Sequence, residues 1–311
     1  TKQTNIGLET TLFNGRIRLN ADLYNKLTEA LLTDINLPTA AGFDSYKANV
    51  GEVRNRGIEL NANIFLIRNT AKAFTWSVGG SLVHNKNKIL RISNSLEFLN
   101  EELIAESGSN PSFLYEEGKS MNTIYVVRSL GIDPATGREI FLDKEGQRTY
   151  DWEASDKVAC GVNEPKVWGN LNTMFRWKNL TLNAVFSYRA GGKAYNQTLV
   201  DKVENISKSS TYNNPWRNLD RRALYDRWQK AGDNTYFKDI KDFNTTYASS
   251  RFVMKENTFK LNSLNLTYDF DTEWLQRNAG IDYLSVGLYA EDVFQISTIK
   301  QERGTSYPFS R

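Results

Sequence analysis

Few side chains in this chain could do chemistry, and their spacing decides how much each could do. Glu101-Glu102 and Glu116-Glu117 are adjacent carboxylates. General acid/base work needs two carboxyls converging on one bond, and neighbours on an extended chain point apart. Both pairs read as solvated loop charges. Asp133, Asp143 and Glu145, within IDPATGREIFLDKEG, offer oxygen ligands, but not at the spacing of an EF-hand loop. A polar turn accounts for them. The chain has one His, His84, and one Cys, Cys160, which excludes an internal disulfide and any His-rich or multi-Cys metal site. His84 reads as a rim or lumen residue near a strand end, and Cys160 as an inert, partly buried thiol. Arg221, Arg222 and Arg227 accompany Leu219, Ala223, Leu224 and Trp228 at rough helical spacing, with Gly232 placed to stop a helix. They could bind an anion, although a solvated helix face is the default.

No catalytic, cofactor-binding or metal-ligating residue emerges, so the chain does not read as an enzyme. The candidates for ligand contact are aromatic: Tyr125, Trp152, Tyr195, Tyr212 and Trp216, all in or beside irregular stretches. A ring with a polar tip suits stacking on sugars or gripping a peptide backbone, and equally suits packing one loop on another.

The elements that must position these residues are strands. In LTLNAVFSYR, Leu180, Leu182, Ala184, Phe186 and Tyr188 fall on one face, and Thr181, Asn183, Ser187 and Arg189 on the other, with Val185 the exception. The preceding limb, Val167 to Trp177, alternates in the same way across the tight turn Lys178-Asn179. Each limb runs to about ten residues, where globular strands average about five or six. Further alternating segments cover Asn5–Phe13, Ile17–Tyr24, Ile58–Leu66, Phe74–Leu82, Phe259–Phe270 and Leu284–Ala290, and Asn14-Gly15 joins the first two by the strongest short hairpin signal. Small hairpins are expected around Pro134, Gly137 and Gly146 in an otherwise irregular stretch from Asn85 to Lys166.

Composition limits what such strands can build. The formal net charge is only +3, from 39 basic and 36 acidic residues, so nucleic acid is not indicated. With a mean hydropathy of −0.53, the chain has no apolar run long enough for a membrane-crossing helix. A β-barrel is compatible with that value, because alternation halves the hydropathy of every strand. The 7 Trp, 15 Tyr and 16 Phe suit interfacial girdles. The connections also alternate in size. Asn14-Gly15, RNTAKA, Lys178-Asn179 and DTEWLQRNAG are short, whereas residues 31–50, 85–166 and 191–251 are long. Long loops on one rim and short turns on the other follow the outer-membrane barrel rule, and a soluble sandwich has no reason to sort its connections so. The fold expected is all-β: a transmembrane antiparallel barrel wall with long extracellular loops and short periplasmic turns.

At this point the blocks QTNIGLETTLFNGRIRLNADLYNK, ANVGEVRNRGIELNANI, LYEEGKSMNTIYVVRSLGIDPATGREIFLDKEGQ, YDRWQKAGD, RFVMKENTFKLNSLNLTYDF and YPFSR can be taken together. In this order they resemble the C-terminal half of SusC/RagA-type TonB-dependent transporters. The resemblance implies an outer-membrane barrel of about 22 strands with a plugged lumen. It implies import of an oligosaccharide or oligopeptide into a Gram-negative cell, outer-membrane lipid around the wall, contact with TonB, a SusD-like surface lipoprotein as lid, and no cofactor. Asp292-Val293 departs from the family's usual Asn at that strand. On this reading residues 1–311 are one partial barrel domain, with plug, N-terminal strands and a final closing strand outside it, and they should not close a barrel by themselves. The alternative is a secreted all-β module that binds or hydrolyses carbohydrate.

Overall fold

In the computed structural model the long alternating segments pair into one antiparallel sheet. The structure describes residues 1–29, 32–36, 45–49, 51–205, 221–270 and 272–299. Eight strands lie in the order β1 (Lys2–Leu12), β2 (Ile17–Thr28), β5 (Gly51–Asn69), β6 (Phe74–Ile92), β11 (Val167–Trp177), β12 (Leu180–Tyr195), β13 (Val253–Asp269) and β14 (Ser285–Ser297). Every pair is antiparallel, as a meander requires. Asn14 and Gly15 take φ of 54° and 78° in the first turn, where Asn-Gly tolerates left-handed backbone. In the Lys178-Asn179 turn the positive φ, 52°, falls on Lys178 and not on the Asn expected to take it.

Register assigns the faces. Ala21, Leu60, Leu82 and, one row on, Ala62, Gly80 and Leu171 align across neighbouring strands. Arg18, Asn63, Gly79, Asn172, Val185 and Ser263 align on the opposite face. Val185 therefore sits in a polar row, a single apolar residue on the inward side. The apolar face has no second layer over it: Ile6 is 67% exposed, Leu288 70% and Ile296 65%. A secreted β-module buries such a face, whereas a barrel wall turns it to lipid.

Strands β5 and β6 each run 19 residues, well beyond the Ile58 and Leu82 at which the alternation fades. The expected irregular stretch from Asn85 is thus strand as far as Ile92. The segment His84-Asn85-Lys86-Asn87-Lys88 lost its period because its outward side no longer faces hydrocarbon, while the backbone ladder to Arg54–Ile58 continues. Within the expected loop 31–50, Leu32–Asn36 and Ser45–Asn49 pair as a small hairpin, β3–β4.

Above the wall the long connections fold. A four-stranded sheet of β10 (Lys157–Val162), β7 (Thr123–Ile132), β8 (Glu139–Leu142) and β9 (Arg148–Thr149) contains the anticipated hairpins, with Gly137 and Gly146 at φ 72° and 87°. Its core joins both long connections: Ile124 and Val126 pack with Leu199, Val200, Val203, Phe237 and Phe252. A helix missed in the sequence, α1 (Asn94–Ala105), seats Leu96 against Val53, Ile89 and Tyr115. Lys157 ends it: its Nζ donates to the carbonyls of Leu103, Ile104 and Glu106 at 3.1, 3.2 and 2.6 Å. A cation at a helix C-terminus satisfies orphan carbonyls and the dipole together. The helix expected over residues 219–232 is only a 3-10 turn at Arg221–Leu224, and the chain then reverses at Asp226, with φ 56°. Of its apolar residues, Ala223 joins the loop core. The connector DTEWLQRNAG holds a second helix, α2 (Thr272–Ala279), which buries Leu275.

Candidate functional site: the extracellular mouth

Strands β6 and β11 pair only as far as Val83 and Trp168. Beyond that point β6 rises paired with β5 and no longer with β11, and the chain at Glu164–Lys166 turns towards β12, where the Lys166 amide donates to the Ala190 carbonyl. The parting leaves a cleft of 650 Å³, lined by Asn85, Lys86, Asn87, Lys119, Glu164, Lys166 and Lys193 among others. Tyr24 Oη donates to Asn85 Oδ1 at 3.1 Å, and Asn85 Nδ2 donates to Glu164 Oε1 at 3.1 Å, so the amides are held in place. Lys193 Nζ donates to the Cys160 carbonyl at 2.7 Å. His84, expected at a strand end, lies inside β6, and its Nδ1 is 2.5 Å from the Lys166 carbonyl oxygen. Fixed amides beside ammonium groups can bind hydroxyls, carbonyls or anions. Among the described lining residues no base is placed against a nucleophile. Lower on the inner face, Arg18, Asn20, Asn61, Asn63, Asn170 and Asn172 line a polar pit of 340 Å³.

The aromatic candidates separate by environment. Tyr125 and Tyr195 are core residues, 3% and 4% exposed. Tyr125 Oη donates to Glu116 Oε2 at 2.7 Å, and Tyr195 Oη to the Ser109 carbonyl at 2.9 Å. Trp152 is half-buried, stacks on Tyr247 at 4.6 Å and 15°, and donates from Nε1 to the Ala248 carbonyl at 3.0 Å. Tyr247, which the sequence gave no reason to single out, is 39% exposed and completes that pair. Tyr212 and Trp216 lie outside the described residues.

The remaining chemical candidates have structural duties. Glu116 holds Tyr125, and Glu117 accepts from the Ile92 amide. Asp133 accepts from the Ala135 amide, Thr136 and Tyr150, and Asp143 from the Gln147 amide, as turn residues do. Among the described residues no group of acidic, His or Cys side chains could hold a metal. Arg227 is buried, not on a solvated helix face, and donates to the carbonyls of Ala223, Lys238 and Val203. Burial pushes the Cys160 thiol up, away from the reactive thiolate.

Burial also raises the phenols of the loop core. It lifts Tyr125 and Tyr195 well above the usual range, with Glu116 adding to the shift of Tyr125, and it pushes Tyr236 up to about 12. A raised acid keeps its proton in the folded state after the unfolded chain has lost it. The stabilisation is complete below a pH of about 10 and is lost as pH climbs through the folded values. Alkali is therefore expected to open the loop assembly from pH ~10 upward while the wall persists. Phenolate absorbance and limited proteolysis, followed in parallel, would show it; phenols titrating without any loop opening would contradict it.

A family profile described as TonB dependent receptor-like, β-barrel, matches residues 1–112. The chain is 23% identical to TonB-dependent receptor P39 of Formosa agariphila, over 96% of this chain and 32% of that protein. It is 25% identical to TonB-dependent receptor SusC of Bacteroides thetaiotaomicron, over 87% of this chain and 26% of that one. Among solved structures, the RagAB peptide transporter superposes with a TM-score of 0.77 at 22% identity, covering 95% of this chain and 32% of that chain. The chain thus spans about a third of the length of the relatives it matches. The family is one of outer-membrane receptors and transporters and not of enzymes. With an outward apolar face, folded loops on one rim and short turns on the other, the chain has the fold of a β-barrel wall and is similar along nearly all its length to TonB-dependent receptors, SusC among them.

Proposed function

We propose that residues 1–311 form one continuous domain of wall and extracellular mouth in a TonB-dependent importer of the Gram-negative outer membrane. The cargo is an oligosaccharide or oligopeptide, captured at the mouth and passed along the amide-lined inner face. A SusD-like lipoprotein serves as lid and TonB drives release. The observation that carries the reading is the sorting of the rims: folded connections with a shared core and a cleft on one side, and on the other three turns of two to four residues and one short helical connector. Among the described residues no strand pairs with the outer edges of β1 and β14, which fits a wall that further strands complete, because unpaired backbone in hydrocarbon costs several kcal/mol. Likeness to the RagAB peptide transporter favours peptide, and Lys119, Lys166 and Lys193 in the cleft favour anionic or hydroxyl-rich groups.

Of the aromatic candidates, the Trp152–Tyr247 pair is the one we assign to cargo contact, since Tyr247 is exposed and Trp152 only half-buried, whereas Tyr125 and Tyr195 are buried. Growth of a deletion strain on defined peptides and glycans tests the function. Complementation with Trp152→Ala should lower uptake by about tenfold, given about 1–3 kcal/mol per stacked ring by analogy with base stacking. Wild-type growth on every substrate would remove Trp152 from the site.

Orientation has its own test. An impermeant thiol reagent should fail to label Lys178→Cys on intact cells and should label Lys144→Cys in the β8–β9 turn. The reverse pattern would mean that the wall is inverted.

A further inference from the structure

We infer that the outer face of β5 and β6, just above the apolar belt, binds the phosphate headgroup of an anionic lipid in the outer leaflet. The inference rests on the outer-membrane reading. Register places Arg56 directly opposite Lys86, and Arg54 directly opposite Lys88. The rows below them are Ile58 with His84, then Leu60 with Leu82, then Ala62 with Gly80, then Ile64 with Val78. Four cations thus cap the lipid-facing stripe on its extracellular side. From Asn69 to Ile58 the strand rises roughly 28 Å along the barrel axis, at ~3.3 Å per residue and a tilt of ~40°, about the height of the apolar band. Arg54 to Ile58 therefore lie at the level of the headgroups.

That these side chains face outward follows from their neighbours. Val53, Asn55 and Asn87 point the other way, into the loop packing: Val53 lies against Leu96 and Tyr115, and Asn87 accepts from the Met121 amide. Arg56, Lys86 and Lys88 are exposed and Arg54 is half-buried, with its Nε lacking a partner.

Like charges directly opposite each other on a sheet destabilise it, and two such pairs are stacked here. No carboxylate of the described residues relieves them. The same rows continue into β2 and β1 as Asn25 and Thr4, and as Leu27 and Lys2. The nearest acids are engaged, Glu52 by Arg91 at 2.5 Å and Glu29 by Lys2 at 2.6 Å. Asn25 Oδ1 accepts from Arg56 Nε at 3.1 Å, which orients the guanidinium without neutralising it. A guanidinium fork beside ammonium point charges is the donor set that phosphate oxygens use. At the headgroup level of a bilayer the anion within reach is a lipid phosphate, and each neighbouring cation adds to the attraction.

The test uses the intact protein in neutral detergent with three probes: phosphorylated lipid A, its dephosphorylated counterpart and inorganic phosphate. Lys86→Gln with Lys88→Gln should weaken lipid A binding about thirtyfold. Lys86→Glu with Lys88→Glu should abolish it and at the same time raise the Tm in neutral detergent, because each new carboxylate faces an Arg. A variant that merely misfolds would lose both. Unchanged binding in the Gln variant, equal binding of dephosphorylated lipid A, or a lowered Tm in the Glu variant would each overturn the site. Inorganic phosphate competing as strongly as lipid A would overturn the lipid assignment. Absence of a heat-modifiable band from the parent protein would strike the barrel reading instead, on a separate measurement.

Discussion

Leu264→Arg is expected to destabilise the wall by about 2–4 kcal/mol, the cost of a cation on the lipid face near the bilayer midplane. Leu264 pairs with Ala184 on one side and Ala290 on the other, in a row that continues through Thr173 and Val78. It lies five residues from the end of β13 at Asp269, roughly 13 Å up the tilted strand and so about halfway through the belt. Ser263, its neighbour, aligns with Val185 and Glu291 on the inner face. Ser263→Arg should therefore be nearly neutral, since the guanidinium meets water and a carboxylate. Leu182→Arg, two residues above the start of β12, should cost about 0–1 kcal/mol, because the penalty falls away near the interface. Denaturant titrations of protein folded into phosphatidylcholine liposomes would measure all three. Equal penalties for Leu264→Arg and Ser263→Arg would sink the assignment of faces.

Arg251→Met should destabilise the extracellular loop assembly by about 3–5 kcal/mol and leave the wall intact, since breaking a buried ion pair strands its partners. Arg251 Nη2 donates to Glu139 Oε2 at 2.7 Å and to Glu204 Oε1 at 2.8 Å. The side chains of Arg251, Glu139 and Glu204 are 4%, 8% and 0% exposed. The three come from β8, from the π-turn Val200–Glu204 and from the turn that starts β13, so one guanidinium ties both long connections together. Without it two carboxylates stay buried, and Glu204 Oε2 already lacks a partner. Arg251→Lys should rescue only in part, because the shorter side chain loses the Nη1 bond to the Tyr236 carbonyl at 2.7 Å that fixes the guanidinium between the two acids. Adding Glu139→Gln and Glu204→Gln to Arg251→Met should recover most of the loss. Hydrogen exchange would report the loops and heat-modifiability the wall. Protection in the loops that survives Arg251→Met would show that the apolar core alone holds them.

The wall was legible in the sequence wherever lipid and water imposed opposite demands on alternate residues. Leu180, Leu182, Ala184 and Phe186 against Thr181 and Asn183 revealed strand, faces and turn together, because a two-residue period is a local property of the backbone. Short turns were equally local, since Asn14-Gly15 carries its own left-handed preference. Above the lipid belt that constraint ends. Strands β5 and β6 then continue on backbone hydrogen bonds alone, through a segment as polar as HNKNK, and composition no longer distinguishes strand from loop. The mouth was decided by long-range packing. Tyr125 and Tyr195 have the composition of ligand-gripping rings, yet the apolar cluster around Phe252 and Val203 takes in Tyr195, and Glu116 holds Tyr125. Trp152 is only half-buried, and its stacking partner Tyr247 lies ninety-odd residues on. Arg227 reads as a surface cation until the fold surrounds it with carbonyls, and nothing local to Arg251 announces the two carboxylates that meet it. Which side chain faces lipid follows from period alone; which side chain faces a ligand depends on what distant segments cover, and only the tertiary structure holds that information.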